Sequence, residues 1–105
     1  MSVLNVTEKD FDQVINSGKL VLVDFWAVWC RPCQMMGPVM EELAQEFDEK
    51  IVVAKVDVDS NEALCARFGI TNIPNMKFFK NGLEVANIVG AVPKNTLVAA
   101  INKNL

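Results

Sequence analysis

Residues 20–27 read Leu-Val-Leu-Val-Asp-Phe-Trp-Ala, apolar at odd and even positions alike apart from Asp24. Successive side chains of a strand point to opposite faces, so a strand that is apolar on both must be covered on both. The segment therefore predicts a central strand in a sheet sandwiched between two layers. It also demands a reason for the one carboxylate placed inside it. A chain of 105 residues, 51% of them hydrophobic, has enough material for one such core but not for two, so residues 1–105 are expected to form a single domain.

The flanking segments supply the layers. Residues 3–6 read as a short strand, and Thr7 is placed to cap a helix whose Phe11, Val14 and Ile15 keep helical spacing until Gly18. Beyond Cys33, residues Met36, Met40, Leu43 and Phe47 form an apolar stripe opposite Gln34, Glu41, Glu42, Gln45 and Glu46; Pro38 should bend this helix near its start. Residues 51–58 read as another strand. Asp59 and Ser60 then mark the start of a short helix that ends at Gly69 and carries Leu64, Cys65 and Phe68 on its apolar face. Strands over 76–80 and 84–89 join through Asn81-Gly82, a pair that tolerates the positive φ of a tight hairpin. Pro93 suits the opening of a last helix with Leu97, Val98, Ile101 and Leu105 inward. The order βαβαβαββα predicts an α/β fold: a central mixed five-stranded sheet flanked by four helices, parallel through right-handed crossovers and finished by an antiparallel hairpin.

Composition removes whole classes of function. The net charge is −3 and no basic run occurs, so a nucleic-acid groove is not expected. The longest apolar stretch, interrupted by Asp24, falls well short of the roughly 20 residues that span a bilayer, so no membrane association is expected. The opening Met-Ser-Val-Leu-Asn-Val-Thr-Glu has neither the positive segment nor the apolar core of an export signal, which points to the cytoplasm. Histidine is absent, which excludes Cys-His dyads, histidine acid-base chemistry and most mixed zinc sites. Three cysteines, an odd number in a reducing compartment, argue against a disulfide scaffold.

Cys30-Arg31-Pro32-Cys33 falls where the buried strand gives way to a helix. Unpaired amides and the helix dipole at such a junction favour a thiolate, so Cys30 is the candidate nucleophile, while Cys33, one turn further in, should be more buried. Two intervening residues allow the sulfurs to approach bonding distance, and Pro32 restricts the loop. Half a metal site, an inert pair or a structural bridge are the alternatives. A zinc site would need two more ligands from Cys65 and carboxylates, and Cys65 reads as a core residue, so no metal is expected.

The segment Val23-Asp24-Phe25-Trp26-Ala27-Val28-Trp29-Cys30-Arg31-Pro32-Cys33 closely resembles the active-site segment of the thioredoxin family. The resemblance continues at family spacings through Pro38, Val53-Ala54-Lys55-Val56-Asp57, Gly69-Ile70, Ile73-Pro74, Phe79-Lys80-Asn81-Gly82 and Val89-Gly90-Ala91, and so covers essentially the whole chain. It implies the thioredoxin fold and a protein-disulfide reductase without bound cofactor, cycling through a Cys30–Cys33 disulfide. Cys30 would attack a substrate disulfide and Cys33 would resolve the mixed disulfide. Asp24 would accept the Cys33 proton; its apolar neighbours Val21, Leu22, Val23, Phe25 and Trp26 independently predict a carboxyl with a raised pKa. An aspartate held by backbone amides for structure alone is the alternative. Lys55 would tune Asp24 or would snorkel to solvent.

By the same resemblance Pro74 is cis and faces the dithiol. The substrate rim, expected to be partly exposed, comprises Trp29, Val58, Ile73, Pro74, Val89, Gly90 and Ala91. Ile73 would offer backbone groups to an extended substrate, and Trp26 would pack beneath the site. Implied partners are protein disulfides and a thioredoxin reductase passing electrons from NADPH, with the chain acting as a monomer. The family usually has glycine where this chain has Arg31, and often lysine at Gln34. A fixed charge beside a thiolate, unless it points into water, favours the reduced form and makes the couple less reducing by about 10 to 20 mV. Thr71, Asn72 and Asn75 also replace smaller residues around Ile73-Pro74 and bear on which partners dock.

Overall fold

The structure is a computed structural model describing residues 2–105. Five strands, β1 (Leu4–Asn5), β2 (Leu20–Trp26), β3 (Ile51–Asp57), β4 (Asn75–Lys80) and β5 (Leu83–Val89), lie in the order β1-β3-β2-β4-β5. Strands β1, β3 and β2 are parallel, and β4 and β5 run antiparallel to their neighbours. Four helices complete the fold: α1 (Phe11–Ile15), α2 (Arg31–Phe47), α3 (Glu62–Phe68) and α4 (Lys94–Asn104). The expected order of elements and the central place of β2 are both found. No helix among the described residues is long and apolar enough to cross a membrane.

Strand parity sorts the core into two layers. Leu20 and Leu22 of β2, with Ile51 and Val53 of β3 and Met76 and Phe78 of β4, pack against Met36, Met40 and Leu43 of α2 and Leu97 and Ile101 of α4. The alternate residues Val21, Val23 and Phe25, with Ala54, Val56 and Phe79, pack against Phe11 and Ile15 of α1 and Leu64 of α3. Asp24 and Trp26 share parity with Leu20 and Leu22, and Lys55 with Ile51 and Val53, so all three belong to the α2 side of the sheet.

Several local expectations shift. Thr7 opens a reciprocal turn rather than capping a helix directly: its hydroxyl accepts from Lys9 N–H, Asp10 Oδ1 accepts from Thr7 N–H, and regular helix begins at Phe11. A 3-10 turn over Val58–Ser60 occupies the expected helix start, so α3 begins after Asn61. As expected from its apolar stripe, α2 continues past Pro38. Leu105 is half exposed rather than inward, lying just past the end of α4. Gly69 ends α3 in the left-handed conformation, and the hairpin turns at Asn81 and Gly82 with φ of 52° and 81°.

Candidate active site at the start of helix α2

Cys30 is the N-cap of α2, in extended conformation, and its sulfur accepts a hydrogen bond from the Cys33 N–H at 3.3 Å. The helix start thus aims an otherwise unpaired amide at the sulfur, an arrangement that stabilises negative charge there. Cys30 and Cys33 are joined by a disulfide, with their Cα atoms 5.2 Å apart. The Cys30 N–H donates to Ala27 O at 3.2 Å and Gln34 Nε2 donates to Val28 O at 2.6 Å, which fixes the loop between β2 and α2. The expected contrast in burial is small, for Cys30 is 5% and Cys33 3% exposed. Both sulfur-bearing residues pack with Ala27, Trp26, Val58 and Ile73, which leaves little of either side chain open to solvent.

Beneath the dithiol lies a cavity of about 230 Å³ whose lining includes Cys33, Asp24, Trp26 and Lys55. Asp24 is in register with Lys55 on β3 and Met76 on β4. Burial pushes its carboxyl from 3.8 up to about 7, against the opposing pull of the Lys55 ammonium. Asp24 Oδ1 and Trp26 Nε1 are buried without a protein hydrogen-bond partner. The Lys55 ammonium sits 4.6 Å from the centroid of the Trp26 ring, so this half-buried lysine stays with the site instead of extending into water. A carboxyl poised near neutrality, sharing a cavity with a thiol, is the arrangement a proton acceptor needs.

Around the dithiol, the Ile73–Pro74 peptide bond is cis, and Ile73 O lies 3.9 Å from Cys30 Sγ. Gly90 N–H donates to Pro74 O at 2.7 Å, tying the end of β5 to this turn. Trp29 is 67% exposed and its Nε1 donates to Asp59 Oδ2 at 2.9 Å. Val89 and Ala91 are exposed, Val58, Ile73 and Gly90 half-buried, but Pro74 is buried just before the start of β4, its carbonyl tied to the Gly90 N–H. Asn75 also departs from expectation: at 6% exposure it is not on the rim, because β4 begins at this residue and pairing with Phe25 sets its side chain on the buried face that Phe25 occupies, where its Oδ1 has no protein partner. Asn72 is exposed and donates to Thr71 Oγ1 at 3.3 Å. Arg31 and Pro32 are exposed at the first turn of α2.

A family model described as Thioredoxin matches residues 2–103. The chain is 48% identical over 104 residues to a thioredoxin of Pyropia yezoensis, covering 98% of this chain and 97% of that one. It is 45% identical over 105 residues to a thioredoxin of Staphylococcus epidermidis, covering the whole of both. The chain belongs to the thioredoxin family. Its fold matches the solved structure of a mutant thioredoxin from Halobacterium salinarum with a TM-score of 0.90 at 37% identity, over 97% of this chain and 89% of that one. As a thioredoxin-family member it is a thiol-disulfide oxidoreductase without need of a bound cofactor, and the Cys30–Cys33 pair is its redox centre. No group of three or more metal-ligating side chains occurs among the described residues.

Sequence reasoning missed several residues of this thioredoxin site. Asp59, read as a helix start, anchors Trp29. Val28 and Met35 add exposed apolar surface flanking the dithiol; Met35 could have been found, because it falls off the Met36, Met40, Leu43 stripe. Gly37 and Glu41 line the Asp24 cavity. Cys65 is half-buried rather than core, because Leu64 takes the inward position; its thiol lies 3.8 Å from Val58 O and lines a shallow depression beside Trp29 and Ile73. Burial, then the carboxylates of Asp59, Glu62, Asp57 and Glu8, push that thiol up and away from reactivity.

Proposed function

We propose that the whole chain works as one monomeric domain that reduces disulfides in cytoplasmic proteins, recycled by a thioredoxin reductase drawing on NADPH. The observation that carries this reading is the pairing of a sulfur held at a helix N-terminus with a second thiol that shares its cavity with a carboxyl near pKa 7. In the reduced form the Cys30 thiolate attacks one sulfur of the substrate disulfide, forming a mixed disulfide and expelling the other sulfur as a thiolate. Asp24 takes the Cys33 proton, and the resulting Cys33 thiolate attacks Cys30. The second substrate sulfur leaves, the Cys30–Cys33 bond forms, and two electrons have passed to the substrate.

Lys55 tunes Asp24: an opposite charge close by favours the ionised carboxylate and opposes burial, holding the acceptor near neutral pH. Pro32 limits the freedom of the loop between the sulfurs, and Arg31 adds a positive charge that favours the thiolate. Trp29, Val58, Ile73, Pro74, Val89, Gly90 and Ala91 form the docking rim, on which an extended substrate segment pairs with backbone groups of Ile73. Insulin reduction with dithiothreitol as electron source tests the reading, alongside Cys30→Ser and Cys33→Ser and then with NADPH and a thioredoxin reductase. Turnover in the intact protein, lost in both variants and supported by NADPH, is expected. An intact protein without turnover would overturn the proposal.

A further inference from the structure

The Asp24 cavity is bounded on one side by a single face of α2. Cys33, Gly37 and Glu41 follow one another at four-residue steps, and all three line it. Such residues lie nearly above one another, so the face runs about 12 Å along the helix axis from the buried thiol to an exposed carboxylate. Gly37 occupies the middle of that run. Its φ is not positive, so the backbone does not require glycine there, and a Cβ added at this position would meet nothing within 4 Å. Glycine inside a helix costs about 1 kcal/mol against alanine. What it leaves is open space between Cys33 and Glu41.

We infer that this face is the proton exit of the reaction: Gly37 keeps the cavity open along α2, and Glu41 at its mouth passes to bulk water the proton that Asp24 takes from Cys33. The inference rests on Asp24 being the acceptor. Asp24 can take the Cys33 proton only when ionised, so a proton it already holds must leave within the same turnover; its Oδ1 is buried with no protein partner, and water entering the cavity is the natural carrier. Three other titratable side chains face the same cavity: Cys33 and Glu41 from α2 and Lys55 from β3. Cys33 is the proton's source, and an ammonium has three donors and no acceptor. Glu41 alone combines a proton-accepting oxygen with exposure to solvent. Protons balance without a co-reactant, since the one leaving through Glu41 is matched by one that the departing substrate thiolate takes from solvent. Glu41 thus acts through Asp24 as a positioning and relay residue.

The test is single-turnover oxidation of the reduced full-length protein by insulin, followed by tryptophan fluorescence in weakly buffered solution at neutral pH. Attack by Cys30 governs the second-order rate at low disulfide, and resolution by Cys33 governs the limiting rate at saturation. Glu41→Gln is expected to lower the limiting rate about three- to tenfold, short of the roughly hundredfold that loss of a general base itself costs. The second-order rate should stay unchanged. Added imidazole, a diffusible proton carrier, should restore the limiting rate, and Glu41→Asp should keep most of it. Gly37→Leu, which fills the path, should slow the same step and resist rescue; if it fails to fold, Glu41→Gln decides. An unchanged limiting rate in Glu41→Gln, or a loss that imidazole does not repair, overturns the proton exit. Asp24→Asn in the same assay separates the two claims: a slow Asp24→Asn beside a normal Glu41→Gln sinks the exit alone, whereas a normal Asp24→Asn sinks the assignment of Asp24 as acceptor.

Discussion

Replacing Asp24 by asparagine should stabilise the protein, and by an amount that depends on pH. The carboxyl is raised from 3.8 to about 7, chiefly by burial. Well below 3.8 it is protonated in both folded and unfolded chains, and ionisation adds no cost. Between 3.8 and about 7 the unfolded chain ionises while the folded one holds its proton, so stability falls as pH rises; above about 7 the loss is complete. At about 1.4 kcal/mol for each pH unit the loss reaches about 4 kcal/mol, a large fraction of the roughly 5 to 15 kcal/mol typical of a domain. Asparagine has nearly the same shape and does not ionise. Urea denaturation of the oxidised intact protein and of Asp24→Asn at about pH 4 and about pH 8 isolates the effect, because every other carboxylate cancels in the difference. The two should differ by about 1 kcal/mol or less at the lower pH and by several kcal/mol at the higher, with the variant the more stable. A difference that stays the same at both pH values would show that Asp24 is solvated or paired, and the reasoning from burial would fall.

Other perturbations bear on separate parts of the structure. Arg31→Gly should make the Cys30–Cys33 couple more reducing by about 10 to 20 mV in equilibrium with glutathione; an unchanged potential would mean that the exposed guanidinium does not act on the sulfur. Gly82→Ala should lower the urea midpoint, with a cost of at least about 1 kcal/mol, because φ there is 81° and a Cβ would collide with the Asn16 side chain; a wild-type midpoint would refute this. On β4 the buried Lys77 ammonium donates to Glu84 Oε2 at 3.2 Å and Asn87 Oδ1 at 3.3 Å. Glu84→Ala, which strands that charge, should therefore destabilise more than Lys77→Met, which removes it. The reverse order in thermal melts would count against a buried cation.

Much of the fold was legible because period and parity carry it. An apolar run over both faces of β2 can only be central, and the Met36, Met40, Leu43 stripe can only face a sheet. The glycine at the end of α3 and the Asn81-Gly82 turn were readable because positive φ selects few residues. Boundaries slipped where short-range hydrogen bonds compete with helix: Asp57 accepts from Asp59 N–H and draws residues 58–60 into a 3-10 turn. At the site, the dithiol and Asp24 stood out because each violates its surroundings, a pair of thiols at a junction and a charge among apolar residues. Asp59, Met35, Gly37 and Glu41 did not, because their significance lies in what they meet across the fold. Asn75 misled for a related reason: its neighbours in sequence lie on the rim, but the first residue of β4 takes its direction from strand pairing with Phe25 and Val89.

The cost of Asp24 and its proposed use as proton acceptor come from the same burial. Were the carboxylate solvated, its pKa would sit near 3.8 and it could not hold a proton taken from a thiol; were it buried without Lys55, its pKa would be higher still. Register on β2 and β3 sets the two groups side by side, while strand parity turns both toward α2, where Cys33 waits. The sheet that holds the fold together thereby also fixes this carboxyl on the side of Cys33, and a one-residue slip of β2 would send the carboxylate, or of β3 the ammonium, to the α1 and α3 side. Stability given up at Asp24 is recovered in the two apolar layers around it, which explains why a charge can persist in the strand that anchors the whole core.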